Sequence, residues 1–203
     1  AIDEGKIKSV DQKVSEFLPE FSDGMKANIT IRHLLTMTAG FDWTESYASA
    51  WAPITKAYYG NDLRKMVEQL STKVKPGTLH EYQSINQVVL AMILEKATGK
   101  TLSRYTSEKL WKPLGATHDA LWSLDSKDGL EKAYCCFNSN ARDFSRIGSL
   151  YLHKGELNGK RIVSEEYVMN SVKPCMVPDE TGVSCEYYGY SWWLSAVDEH
   201  EFF

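Results

Sequence analysis

Apolar residues along this chain recur mostly at helical spacing. In "NDLRKMVEQLST" (residues 61–72), Leu63, Met66, Val67 and Leu70 fall on one face of a short amphipathic helix. "PGTLHEYQSINQVVLAMILEKATG" runs from a Pro-Gly turn through Tyr82 into a long apolar stretch. It predicts a helix from about Ser84 to Thr98, ended by Gly99. Upstream, "NITIRHLLTMTAGF" predicts a helix capped by Thr30, with Leu34, Leu35 and Met37 inward and Gly40 as its stop. Thr101 is placed to cap a helix over "LSRYTSEKLWKPLG", stopped by Pro113 and Gly115. "NSNARDFSRIGSLYLHKG" gives a capped helix with Phe144, Ile147, Leu150 and Tyr151 inward, "LNGKRIV" a turn, and "SEEYVMNSV" a last helix. The opening stretch "AIDEGKIKSVDQKVSEFLPEF" reads as the end of a helix, with Gly5 at the residue after its cap, followed by a loop.

Strand patterns are few and late. "DALWSL" and "KAYCCF" predict short strands, and "YYGYSWWLS" an apolar strand with no partner after it in the sequence. A lone strand leaves its backbone groups unsatisfied, so its sheet neighbours are expected outside the 203 residues. The expected fold class is α+β, mostly helical, with only some strands of an antiparallel sheet. Residues 1–203 form one partial domain cut at both ends. "DWTESYASAWAPITKAYYG" is aromatic-rich and irregular, and its Trp43, Tyr47 and Trp51 are candidate walls of a substrate pocket.

Composition narrows the picture by exclusion. An apolar fraction of 43% is ordinary for a globular protein, and a formal charge of −4 with scattered lysines does not fit a nucleic-acid partner. No apolar run reaches the roughly 20 residues of a membrane span. The four cysteines form no CxxC pair. Adjacent Cys135 and Cys136 on a strand would point to opposite faces, one buried and one half-exposed. A Cys175–Cys185 bridge would close the "MVPDETGVS" loop, and the sequence leaves it open. His80 in "LHEY" and His200 in "DEHEFF" sit beside acids without a ligand spacing such as H-E-x-x-H, and both read as charged surface. His33 reads as a packed or capping histidine. No metal and no cofactor is expected.

The familiar nucleophile patterns fail in turn. "GYSWW" has Trp193 where a nucleophile elbow needs its second glycine. No serine has a lysine three positions on, and the nearest imitation, Thr72 to Lys75, ends in a turn.

Taken together, "AIDEGKIKSVDQKVSEFLPEF", "ITIRHLLTMTAGF", "PGTLHEYQSINQVVLAMILEKATGKTL", "EKLWKPLGA", "NARDFSRIGSLYLHKGELNGKRIV" and "YGYSWWL" resemble, in order, the serine β-lactamase and penicillin-binding-protein-like family. The resemblance is to its class C-related branch of esterases, D-amino peptidases and 6-aminohexanoate-dimer hydrolases. It implies a β-lactamase/transpeptidase-like fold, an acyl-enzyme mechanism on an amide or ester, and a small-molecule or peptide substrate. It also implies an extracytoplasmic bacterial setting. The family joins three motifs in one cleft: S-x-x-K, a tyrosine motif, and a K-T-G-like or H-x-G-like strand.

Only the second is visible here, as Tyr82-Gln83-Ser84. The resemblance places S-x-x-K before Ala1 and the third motif after Phe203, in missing segments of the parent chain. "HKG" at 153–155 imitates the third motif by letters but ends a helix. Tyr82 then resembles the family's proton-transferring tyrosine, either as a phenolate stabilised by the missing lysine or as a neutral relay. Ser84 stands where many relatives carry asparagine and would bind the lysine or a substrate amide. The implied outcome is an inactive chain by itself. The alternative is a non-catalytic binding or scaffold protein that keeps the fold.

Overall fold

In the computed structural model, residues 1–197 and 200–202 are described. Within the "DEHEFF" run, Asp198, Glu199 and Phe203 therefore lie outside the described residues. The fold is built around α4 (Ile85–Thr98), with α1 (Ile31–Leu35), α3 (Leu63–Glu68) and α5 (Leu102–Thr106) packed on it. Ile85, Val88, Val89, Ala91, Met92 and Ile93 of α4 are all buried. They cover more than one face, as suits a helix enclosed by neighbours on several sides. Fully burying each large aliphatic contributes roughly 1.5–3 kcal/mol. Around them gather Val14, Leu18, Phe21, Ile29, Leu34, Phe41, Ile54, Leu63 and Val67, all at most 2% exposed. Leu63 and Val67 of α3 are buried, and Met66 packs half-buried beside them.

Helix ends follow local chemistry. Asp62, Thr101 and Asn140 each cap a helix by accepting a backbone N–H three residues on. Gly99 ends α4 in the left-handed conformation at φ 67°. Residues 2–5 form a turn, with Gly5 N–H on the Ile2 carbonyl at 2.8 Å and Lys6 N–H on Ala1 at 2.9 Å, a bond pattern of the kind that also closes helices.

Gly40 is not the stop of α1. Met37 takes the left-handed position instead, at φ 56°, and Thr38 N–H returns to the His33 carbonyl at 2.8 Å. A buried side chain in that conformation costs on the order of 1 kcal/mol, and it turns the chain sharply beneath Tyr82. The aromatic segment is less irregular than its composition suggests. Pro53, ideal at a first helical position, starts α2 (Pro53–Tyr59).

After a turn of π-helix (Ser107–Trp111), β1 (Leu121–Trp122) pairs antiparallel with β2 (Phe137–Asn138). Between them Cys135 and Cys136 are joined in a disulfide, which replaces the expected one-in, one-out pair of thiols. Cys136 adopts φ 67°, so these residues make a turn rather than continue a strand. In α6 (Ala141–Leu152) Leu150 is buried, while Phe144, Ile147 and Tyr151 are half-buried. Its fully buried Asp143 accepts the Thr117 and His118 N–H groups at 2.9 and 3.0 Å, and these bonds hold its carboxyl well below the usual range.

A hairpin of β3 (Glu156–Leu157) and β4 (Lys160–Arg161) turns through Asn158-Gly159, both left-handed, and leads to α7 (Glu165–Ser171). Residues 187–195 are not one continuous strand. Ser191 at φ 59° folds the run back, so Tyr188 bridges Trp193 and Gly189 N–H reaches the Trp192 carbonyl at 2.9 Å. Only then does β5 (Ser195–Val197) pair with β6 (His200–Phe202). Among the described residues, no helix is long and apolar enough to cross a membrane.

Candidate active site around Tyr82

The turn at Pro76-Gly77 delivers Tyr82 by laying residues 77–81 along 36–38. Gly77 N–H donates to the Thr38 carbonyl at 2.8 Å, and Glu81 N–H to Met37 at 3.0 Å. Gly77 sits at φ 80°, and a Cβ there would lie 3.0 Å from His33 Nε2, so the close approach requires glycine. His33 itself caps α1, its Nδ1 accepting from Thr30 N–H at 3.1 Å. Burial keeps it below the ordinary histidine pKa.

On the other flank, buried Gln83 donates Nε2–H to the Phe41 and Trp43 carbonyls at 3.0 and 3.2 Å. Tyr82 is thus clamped between two backbone anchors. Its ring stacks on Trp193 at 5.4 Å and meets Tyr188 edge-on at 6.2 Å. Burial raises its pKa above 10, the Glu45 carboxylate adds to the rise, and the Ser84 hydroxyl opposes it. At neutral pH the phenol is protonated.

Glu45 organises this flank. It accepts from Trp43 Nε1 at 2.8 Å, Tyr47 OH at 2.8 Å, Ser84 N at 3.0 Å and Ser84 Oγ at 2.5 Å. The sequence-predicted residues therefore divide. Ser84, at 3% exposure, precedes α4 with its hydroxyl committed to Glu45. Trp43, at 4%, belongs to the core and reaches the site through its indole N–H on Glu45 and through its carbonyl, which accepts from Gln83. Tyr47 is exposed and joins through its hydroxyl. Trp51 is 81% exposed, and none of the bonds to Glu45 involves it. Asn86 is fully buried and turned onto the Gln83 carbonyl at 2.9 Å. Glu45 escapes the sequence reading, since acids are common in loops and nothing local marks it, and Gln83 enters only as the middle of Tyr82-Gln83-Ser84, without a role of its own.

His80 corrects another expectation. It is 4% exposed rather than surface, with Nδ1 3.0 Å from the Thr36 carbonyl, and it packs against Tyr187 and Tyr188. Cys175 and Cys185 are free thiols beside it, not a disulfide. A groove of about 860 Å³ lies along Asp11, Arg32, His33, Thr36, Cys175 and Tyr190; Tyr82 does not line it.

The beta-lactamase family model matches residues 1–201. Over 177 residues the chain is 30% identical to a 6-aminohexanoate-dimer hydrolase from Paenarthrobacter ureafaciens, covering 82% of this chain and 45% of that protein. Among solved structures, a family VIII carboxylesterase superposes with a TM-score of 0.74 at 20% identity, over 97% of this chain and 63% of the other. An octameric penicillin-binding protein homologue from Pyrococcus abyssi gives 0.72 at 21% identity, over 96% and 49%. The chain spans about half or less of the length of the curated relatives it matches. Its architecture is the β-lactamase/transpeptidase fold, and the chain belongs to the beta-lactamase family of hydrolases.

Proposed function

We propose that these 203 residues are the central part of a serine hydrolase in which Tyr82 relays protons during acyl transfer to and from an amide or ester. One observation carries this reading: Tyr82 is clamped on both flanks directly before α4, with its phenol protonated and its ring only half-buried. A neutral phenol can serve the relay, accepting one proton while passing on its own. The nucleophile and its lysine would come from chain outside these residues, and the helix-closing bonds at Gly5 fit a helix arriving there. Without that nucleophile the 203 residues alone should turn nothing over.

The test is hydrolysis of a p-nitrophenyl ester and a chromogenic cephalosporin by the protein expressed from its complete gene. Tyr82→Phe should lower kcat about 10²–10⁴-fold with KM little changed. Turnover by the 203 residues alone would overturn the placement of the nucleophile. An unchanged kcat in Tyr82→Phe would overturn the role of the tyrosine. A second reading, a binding protein that keeps the fold, draws on the Ser84 hydroxyl being committed to Glu45 rather than free for a lysine. A complete gene without S-x-x-K would favour it.

A further inference from the structure

A buried imidazole and two cysteines converge close to the small cluster against which Tyr82 packs. One ring nitrogen of His80, Sγ of Cys175 and Sγ of Cys185 lie within 4.8 Å of one another. His80 and Cys185 are buried, and Cys175 is half-buried. The reaction proposed for Tyr82 uses none of them.

Backbone bonds, rather than chance contact, hold the three together. Cys175 N–H donates to Tyr188 at 2.8 Å, Met176 N–H to Cys185 at 3.0 Å and Cys185 N–H to Val177 at 3.1 Å, so both thiols sit at the base of one hairpin-like excursion. His80 N–H donates to Pro178 at 2.8 Å, which fastens that excursion to the Tyr82 segment. The Thr36 carbonyl can only accept, so His80 carries its proton on Nδ1 and keeps a basic lone pair on Nε2. That is the second bond by which proteins orient a ligating histidine. Tyr187 and Tyr188, with ring centroids 5.6 and 5.4 Å from His80, fix the plane of its ring.

We propose that His80, Cys175 and Cys185 form a binding site for a thiophilic d¹⁰ cation of the zinc type. Two thiolates and an imidazole match that ion, and the absence of oxygen donors in the triad argues against magnesium or calcium. Zn–S bonds of about 2.3 Å and Zn–N bonds of about 2.0 Å set tetrahedral ligands roughly 3.5–3.8 Å apart, so the triad closes by side-chain rotation. Binding displaces one proton from each thiol to solvent, leaving two thiolates, one neutral imidazole and a dication with no net charge. Cys175 also lines the groove that holds Thr36, Thr38 and Val177, which supplies an entry path and an open fourth position for water. The ion would tie the 175–185 excursion to the segment that carries Tyr82, so its role is to brace rather than to react.

The experiment uses protein from the complete gene, reduced and stripped of metal, titrated with Co²⁺ and then displaced by Zn²⁺. One equivalent should bind, with a thiolate-to-cobalt charge-transfer band and the intense visible bands of tetrahedral cobalt. Cys185→Ser and Cys175→Ser should each weaken binding about 100-fold or more, whereas Cys135→Ser and Cys136→Ser should leave it unchanged. His80→Gln should keep the thiolate band while moving the visible bands, a change that mere unfolding would not produce. Circular dichroism of each apo variant identifies any that fails to fold. No thiolate band with the reduced wild-type protein would overturn the proposal, as would a band that survives Cys185→Ser.

Discussion

Two hydrophobic clusters in this molecule are built on opposite plans. The main core is mostly aliphatic and centred on helices whose spacing already places many of its residues inward. The small cluster beside Tyr82 holds Met37, Cys185 and Tyr188, with Tyr82 and Cys175 packed against it. Its frame is a set of turns: Met37, Met176 and Ser191 all lie in the left-handed region without being glycine. The first cluster supplies stability through area removed from water. The second spends some of it on left-handed backbone, and positions an aromatic hydroxyl and three donor atoms in return. Placement of these groups depends on turns in left-handed backbone rather than on helical spacing.

The comparison can be broken by mutation, starting with the core. Phe41, fully buried and edge-on to Phe21 at 6.2 Å, should cost about 3–5 kcal/mol as Phe41→Ala, read by urea unfolding. Unfolding followed by Trp fluorescence should then coincide with that followed by circular dichroism, as in a cooperative two-state transition. Glu45→Gln comes next. An amide can offer only one oxygen to the donors of Trp43, Tyr47 and Ser84, so the loss should be about 2 kcal/mol. A loss below 0.5 kcal/mol by the same assay, of the order of an ordinary surface change, would remove Glu45 as the organiser of this flank.

The smallest effect belongs to Tyr134, which packs against the main core with its hydroxyl buried and unpartnered among the described residues. At neutral pH Tyr134→Phe should change stability by less than about 0.5 kcal/mol, since no bond is lost. Alkali separates the two proteins. Burial pushes the Tyr134 pKa up to about 12, above the value near 10 in the unfolded chain, so the wild type loses stability as pH rises from about 10 to 12, where the phenol ionises in the unfolded chain first. The variant should show a shallower decline over that window in pH-dependent denaturation.

The same division explains what could be read from the sequence. Caps and stops such as Thr30, Asn140 and Gly99 are decided within four residues, and α4 and α6 stand where the pattern puts them, whereas α1 starts at its cap but ends at Leu35, short of Gly40. Residues 187–195 look like a strand because aromatics favour strands, yet one left-handed serine folds them back. Tyr82 and Ser84 stand out in the sequence through their resemblance to the family's tyrosine motif. Their partner Glu45 lies 39 residues before Ser84, in a loop with no periodicity to mark it. Trp51 stands in an aromatic-rich segment, and composition says nothing of direction; its side chain is exposed.

The bond from His80 to the Thr36 carbonyl has a kinetic consequence. It spans 44 residues, and the Cys175 contact to the same carbonyl spans 139. Closing loops of that length costs chain entropy before any contact repays it. The helices around α4 can form from short-range contacts, while the setting of Tyr82 waits for distant parts of the chain to arrive. In refolding, secondary structure should therefore return early and the stacking of Tyr82 on Trp193 late, so this ring pair reports the arrival of the complete fold.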